Sequence, residues 1–389
     1  MSYLREILPK MPRYAMAHRE WVRPGTPLNL TFSVTNRCQS RCKTCGIWRI
    51  YRDHPAKRQE ELTTEEIERI FRSLGHVYVF NISGGEPFLR KDLGEIIRLA
   101  CRHLTPGIIH IPTNAIAVDR ILDETREILG FLKRRHPRVR LTVKPSLDHI
   151  GTRHDEIRGV PGNFEKVMTL FARLKGLQAE HPHFHAELGT VVSRWNVREI
   201  EEIAAFVTRL GTDSYRNEIA EQRSEMLNQE DPITPEPREY ETAIRFFVDQ
   251  IQRNLTQRVL FQRITHAFRL AYYGLAIRIL RENRQVIPCY AGISNAHMTP
   301  YGDIWACCTL GYDKPMGSLR EHGYDFPALW NSPRAREIRR FIRDGRCACP
   351  MANQAYSNIL MDPSSLARVI GYIIGTNRNK TPCLNMAKG

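Results

Sequence analysis

Leu28-Asn29-Leu30-Thr31-Phe32-Ser33-Val34 runs directly into Thr35-Asn36-Arg37-Cys38-Gln39-Ser40-Arg41-Cys42-Lys43-Thr44-Cys45, and the join between these pieces decides the fold. In the first piece Leu28, Leu30, Phe32 and Val34 alternate with Asn29, Thr31 and Ser33, the period of two that marks a strand with one face against a core. The second piece places three thiols in the loop that leaves the strand. A second strand over 77–82 ends in Ser83-Gly84-Gly85-Glu86-Pro87, and a helix follows over 92–103. The alternation continues with strands over 107–112, 139–147, 184–192 and, more weakly, 214–219, separated by helices over 121–135, 163–177 and 197–210. Such alternation predicts a parallel sheet with right-handed crossovers, because parallel neighbours need a helix to bring the chain back. An incomplete barrel and a doubly wound sheet satisfy the periodicity equally. Both collect their chemistry at the carboxyl ends of the strands, where the cysteine and glycine motifs fall.

Beyond this core, Pro232, Pro235 and Pro237 mark a linker, residues 240–284 read as mostly helical, and a smaller cysteine-bearing module follows. The expected units are an N-terminal extension over 1–27, a barrel over 28–225, a linker and helical segment over 226–287, the module over 288–350 and a basic tail over 351–389.

A chain of 389 residues with 42% hydrophobic and 25% charged residues can bury a sizeable core without disulfides. The first residues lack the apolar stretch and small-residue cleavage site of a secretion signal, and the apolar run over 369–374, interrupted by Gly371, is too short to span a bilayer. Cytoplasmic residence is the default expectation. There, ten cysteines serve as ligands, reactive thiols or buried hydrophobes rather than disulfides, and Cys101, alone in a helical stretch, is expected to be a buried hydrophobe. The net charge of +15 implies attraction to something anionic: nucleic acid, a phosphorylated metabolite or a membrane surface.

Cys38, Cys42 and Cys45 can converge on one metal centre. A 4Fe-4S cube held by three thiolates keeps one iron open, whereas a structural zinc would want a fourth ligand, and the nearest candidate, His54, lies at an unusual spacing. Gly84 and Gly85 lack side chains, so the backbone there is expected to approach a ligand closely.

Cys38-x3-Cys42-x2-Cys45 after a first strand, followed one βα unit later by Gly84-Gly85-Glu86-Pro87, resembles the radical S-adenosylmethionine superfamily. The resemblance implies a partial (βα)6 barrel and a 4Fe-4S cluster whose open iron is chelated by the amino and carboxylate groups of S-adenosylmethionine. One electron, from an external donor such as flavodoxin or ferredoxin, then breaks the sulfonium bond. The resulting 5'-deoxyadenosyl radical takes a hydrogen atom from substrate. By the same resemblance Gly84 and Gly85 receive the methionyl ammonium with help from Glu86, and Thr113-Asn114 forms a Thr-Asn-Gly-like turn in which Ala115 replaces the glycine. Ser146 is expected at a ribose hydroxyl, Arg158 at the methionyl carboxylate and Val191 against adenine. An ordinary cap or ion pair is the plain alternative for Ser146 and Arg158.

Cys289, Cys307, Cys308, Cys347 and Cys349 form a second group that resembles the auxiliary-cluster module of the SPASM and twitch subfamilies. Cys289, Cys307, Cys347 and Cys349 would close one 4Fe-4S cluster, with Cys308 as a competing ligand. Structural zinc or buried thiols are the alternatives.

For the substrate, Arg263, Arg269, Arg278, Arg281 and Arg284 accompany Ile264, Phe268, Ala271, Leu275 and Ile279 at helical spacing, and Arg368, Arg378, Lys380 and Lys388 follow near the end. Such a helix either lies on an anionic membrane or packs in a core with one solvated face. Twenty-seven residues before the first strand are too few for a leader-binding domain, so an anionic small molecule or lipid is expected ahead of a peptide, with peripheral membrane contact. A peptide-modifying maturase is the alternative, and a zinc-stabilised nucleic-acid binder the rival from another class. No stacking-aromatic module supports nucleic acid.

Overall fold

The computed structural model describes residues 2–212, 214–255 and 260–375. Its strands are β1 (Asn29–Thr35), β2 (Val79–Gly84), β3 (Ile108–Thr113), β4 (Arg140–Pro145), β5 (Phe184–Ala186), β6 (Leu188–Val192), β7 (Tyr215–Ile219), β8 (Asn295–Met298), β9 (Asp303–Trp305) and β10 (Gly317–Ser318). One sheet runs in the order β10-β9-β8-β1-β2-β3-β4-β5, and β6 pairs with β7. The pairs from β1 through β5, and β6 with β7, are all parallel. This is an α/β fold that curves as a partial barrel and, among the described strands, does not close.

The strand expected over 184–192 is broken in two. β5 follows β4, Glu187 N still donates to Val143 O, and β6 then leaves to pair with β7. The break falls at Glu187, and Gly189, the second residue of β6, passes against the flexible Lys144 stem, where a Cβ would lie 2.8 Å from Lys144 Cδ.

Alternate residues of the strands, among them Phe32, Phe80, Ile109, Ile111, Leu141 and Val143, are fully buried against the crossover helices. One of these, Thr64–Leu74 between β1 and β2, is absent from the periodicity reading. Its start is nonetheless written in a capping box, Thr63 with Glu66, and Ile67, Ile70, Phe71 and Leu74 face inward.

The cysteine module grows out of the same sheet. β8 pairs parallel with β1, from Asn29↔Asn295 to Phe32↔Met298, and β9 returns antiparallel to it. The helix Leu260–Glu282, which carries the arginines considered for a membrane, is a core helix. It packs on Pro237–Asn254, Ala352–Met361 and Pro363–Ile374, and Ala267, Leu270, Tyr272, Tyr273 and Ala276 are buried. Arg278 and Arg284 pair with Glu282, and Arg281 pairs with Glu241.

The stretch expected as a basic tail instead supplies two helices, with Ile359, Val369 and Tyr372 in the core. Arg378, Lys380, Cys383 and Lys388 lie outside the described residues. At the other end, helices Ser2–Ile7 and Met11–His18 bring Ile7, Tyr14 and Ala17 onto Leu28, Tyr78, Tyr290 and Leu360. Cys101 is buried as a small hydrophobe. Among the described residues no helix is long and apolar enough to cross a membrane.

Candidate functional site

The loop after β1 is held from two sides. Arg41 N and Lys43 N donate to Arg158 O and Ile157 O at 3.1 and 2.8 Å, and Gly159, at φ +64°, lets the chain pass because a Cβ would lie 2.4 Å from Arg41 O. On the other side Gly46 N donates to Met226 O at 2.6 Å and Asn228 Nδ2 to Thr44 O at 2.8 Å. Cys38, Cys42 and Cys45 are half-buried. Burial, then Cys42 and Glu86, pushes the Cys38 thiol up to about 11. Burial likewise raises Cys42 and Cys45, with Arg158 opposing the shift at Cys42. Thiols so placed ionise only around a positive centre. Their sulfurs do not form a set within 4.8 Å of one another, whereas a single tetrahedral zinc would draw them to about 3.8 Å. The donor set suits a larger cluster.

Gly84 and Gly85 are required by the cysteine loop itself. A Cβ on Gly84, at φ +112°, would lie 2.2 Å from Thr35 O, and one on Gly85 would lie 2.3 Å from Arg37 O. Gly85 N and Glu86 N donate to those same two carbonyls at 2.7 and 2.8 Å. The expectation that these glycines make room for a ligand thus has a nearer cause, which is contact between the two motifs. Glu86 is buried, and its carboxylate accepts from Thr113 Oγ1 (2.9 Å), Asn114 N (2.7 Å) and Phe88 N (3.3 Å). Burial raises it to about 7 against those three donors. It therefore shapes the turn after β3, in which Asn114 Nδ2 reaches Cys38 Sγ at 3.7 Å and Ala115 takes φ +62°, the left-handed geometry that favours glycine.

Past β4, Ser146 N donates to Thr113 O at 3.0 Å and Ser146 bridges to Gly189. Asp148 is buried; its Oδ1 accepts from Val191 N at 2.9 Å and its Oδ2 from Arg158 Nη1 at 3.2 Å. Burial opposes the charge on Arg158, but Cys42, Asp148 and Cys38 hold it cationic. The buried Nε of Arg158 has no partner among the described residues, so the guanidinium is free to take an acceptor beside the thiols. His154 Nδ1 accepts from Asp148 N, its Nε2 meets Asn163 Oδ1, and Asn163 Nδ2 donates to Asn114 O. Burial lowers His154 to about 4, consistent with a neutral ring linking the turns after β3 and β4. Asn196, whose amide donates to Asp148 O and Val191 O, escapes sequence reading because a lone Asn carries no periodic signal.

The concave face of the sheet is polar. Lys144 Nζ lies 3.4 Å from Glu218 Oε1, and Arg216 Nε lies 2.6 Å from Glu187 Oε2. Arg216 and Glu218 remain 41% and 40% exposed, so this wall of β7 is open to solute. His110 on β3 is half-buried near the same cations. These side chains also went unforeseen, although the alternation of Arg216 and Glu218 with Tyr215, Asn217 and Ile219 was their signal.

In the module, Cys289, Cys347 and Cys349 are half-buried and Cys307 is buried. Burial raises each thiol; next, Cys347 responds to Cys289, and Cys307 to Cys349, Cys308 and Cys289. Cys308 lies toward the barrel, accepting from Arg223 Nη1 at 3.3 Å. His181, His183 and His185, which alternate along an extended stretch of the sequence, form no metal-spaced set among the described residues.

Residues 32–207 match the Radical SAM superfamily model, and residues 289–350 match SPASM, an iron-sulfur cluster-binding domain. The chain is 26% identical over 327 residues to the mycofactocin maturase MftC of Mycolicibacterium smegmatis, covering 83% of this chain and 75% of that protein. It is 25% identical over 339 residues to the AdoMet-dependent heme synthase of Oleidesulfovibrio alaskensis, covering 82% and 78%. Among solved structures, Streptococcus suis SuiB bound to its precursor peptide SuiA superposes with a TM-score of 0.56 at 16% identity, over 84% of this chain and 70% of that one.

Proposed function

Because this chain belongs to the radical S-adenosylmethionine superfamily and carries a SPASM-type iron-sulfur module, we propose that it is a maturase that modifies a peptide or protein. The observation that carries this reading is the charge balance of the concave wall. Lys144 and Arg216 are each neutralised by a glutamate, so this wall offers ionic and hydrogen-bonding partners of both signs rather than a pair of unpaired cations for a phosphate. The likeness to MftC over 83% of the chain supports the same reading.

Cys38, Cys42 and Cys45 would hold a 4Fe-4S cluster that, with S-adenosylmethionine bound, would supply the reductive cleavage, fed by an external one-electron donor such as flavodoxin or ferredoxin. In this reading Arg158, oriented by Asp148, takes the methionyl carboxylate with its free Nε edge. Glu86 fixes the turn that presents Thr113 and Asn114, and the Gly84-Gly85 backbone faces the ammonium. Ser146 and Val191 flank the ribose and adenine. Lys144, Arg216 and Glu218 bind and orient the substrate. Cys289, Cys307, Cys347 and Cys349 hold the auxiliary cluster.

The test is anaerobic incubation of reconstituted enzyme with S-adenosylmethionine, reductant and candidate precursor peptides. A peptide should change mass and speed 5'-deoxyadenosine release, while Cys42→Ala should release none. The likeness to the heme synthase favours a second reading, an anionic small molecule. Acceleration by phosphorylated or carboxylated small molecules and by no peptide would establish that reading instead.

A further inference from the structure

Glu225, His297 and Cys308 come from three separate segments to one buried point. Glu225 lies in the turn after β7, His297 on β8 and Cys308 beyond β9, and each is 5% exposed. Their donor atoms all lie within 4.8 Å of one another, the one such set of metal-ligating side chains among the described residues. His297 Nε2 is 3.3 Å from Glu225 Oε1, about the separation of two ligands each about 2.0 Å from a tetrahedral ion. Ser33 Oγ, from β1, is 2.9 Å from that nitrogen and 3.1 Å from that oxygen, where a fourth, neutral ligand would stand.

A hydrogen-bonded Glu-His pair accounts for two of these groups and leaves the thiol unexplained. Cys308 Sγ accepts from Arg223 Nη1 at 3.3 Å and lies 3.0 Å from Met351 Sδ. Arg223 is paired with Glu221 at 2.9 Å, so it brings no net charge. A neutral imidazole, one carboxylate and one thiolate bring two negative charges to a dication, which leaves the buried pocket neutral with the ion in place. The N–H donor on the sulfur and Trp305, stacked 5.1 Å from the His297 ring, are the outer contacts that hold such ligands in orientation.

We propose that Glu225, His297 and Cys308, with Ser33 beside them, hold a single divalent transition-metal ion, zinc or ferrous iron, separate from both cluster sites. One nitrogen, one sulfur and one oxygen form a set that these ions take and that magnesium and calcium do not. The ion joins β1 and β8 to the loop after β7, the two sides of the seam that the sheet leaves open, and fastens the cysteine module to both.

The test uses full-length protein with both clusters in place, equilibrated anaerobically with micromolar zinc and freed of excess by gel filtration. Metal analysis should find about one zinc, or one iron beyond the eight expected for two cubes. X-ray absorption at the zinc edge should show one sulfur near about 2.3 Å and nitrogen or oxygen near about 2.0 Å. Cys308→Ser should remove the sulfur shell and weaken zinc retention at least tenfold, and His297→Gln should weaken it similarly, with cluster iron unchanged in both. The absorption spectrum needs no variant, so a misfolded substitution does not block the test. The proposal is overturned if wild type retains no zinc or extra iron, if the zinc shell lacks sulfur, or if Cys308→Ser loses cluster iron instead.

Discussion

Replacing Gly85 with alanine tests whether the two motifs are coupled through backbone contact. The added Cβ would stand 2.3 Å from Arg37 O and 2.7 Å from Arg37 C, about 1 Å inside ordinary contact, and both neighbours are backbone that cannot swing aside. Relief requires the loop and the turn to part. That breaks the Glu86 N to Arg37 O and Gly85 N to Thr35 O bonds, each contributing about 1 kcal/mol, and adds overpacking strain of roughly 1–3 kcal/mol. The expected loss is about 3–5 kcal/mol, read as a lower midpoint in anaerobic denaturant unfolding. Because Arg37 precedes Cys38, retained iron and S-adenosylmethionine cleavage should fall with it, by at least about tenfold for the shift involved. Gly176→Ala, inside the helix Asn163–Glu180 with nothing within 4 Å of the new Cβ, is the control and should stabilise by roughly 0.5–1 kcal/mol. Wild-type stability and iron content in Gly85→Ala would refute the coupling.

Glu86 is raised to about 7 by burial, so its contribution to stability is complete below its unfolded value near pH 4.5 and is lost as pH rises through about 7, at most about 3 kcal/mol. Unfolding midpoints at pH 5 and pH 8 should therefore converge in Glu86→Gln by that share; an unchanged difference would contradict it. Ala115→Val should cost more than about 2 kcal/mol, because a β-branched residue resists the positive φ found there, whereas Ala115→Gly should stay within about 1 kcal/mol, released strain offsetting chain entropy; thermal unfolding of the pair checks the difference. A variant lacking Cys38, Cys42 and Cys45 should still bind about four irons in its module, and finding zinc or no metal would remove the auxiliary cluster from the site.

Local pattern was enough to announce β1 to β4, the cysteine loop, the glycine turn and the second cysteine group, because each is written in consecutive residues or at fixed short spacing. The capping box of Thr63 and Glu66 was equally legible and marks the crossover helix that periodicity passed over. The broken strand at 184–192 was not, since its two halves are set by pairing with different strands, β4 and β7, that lie far apart in the sequence.

What the sequence by itself determined is the chemistry on offer: three thiols after a first strand, a glycine turn one unit later, and a further cysteine group behind a helical segment. Tertiary structure alone decided what surrounds them. It made Gly84 and Gly85 answerable to the carbonyls of Thr35 and Arg37, turned a basic helix into a core helix, and paired Lys144 and Arg216 with glutamates. It also brought Glu225, His297 and Cys308 within 4.8 Å across intervals of 72 and 11 residues. The physical reason is that strand and helix signals are set by near neighbours along the chain, whereas burial, charge pairing and ligand geometry depend on residues that only the folded sheet makes adjacent.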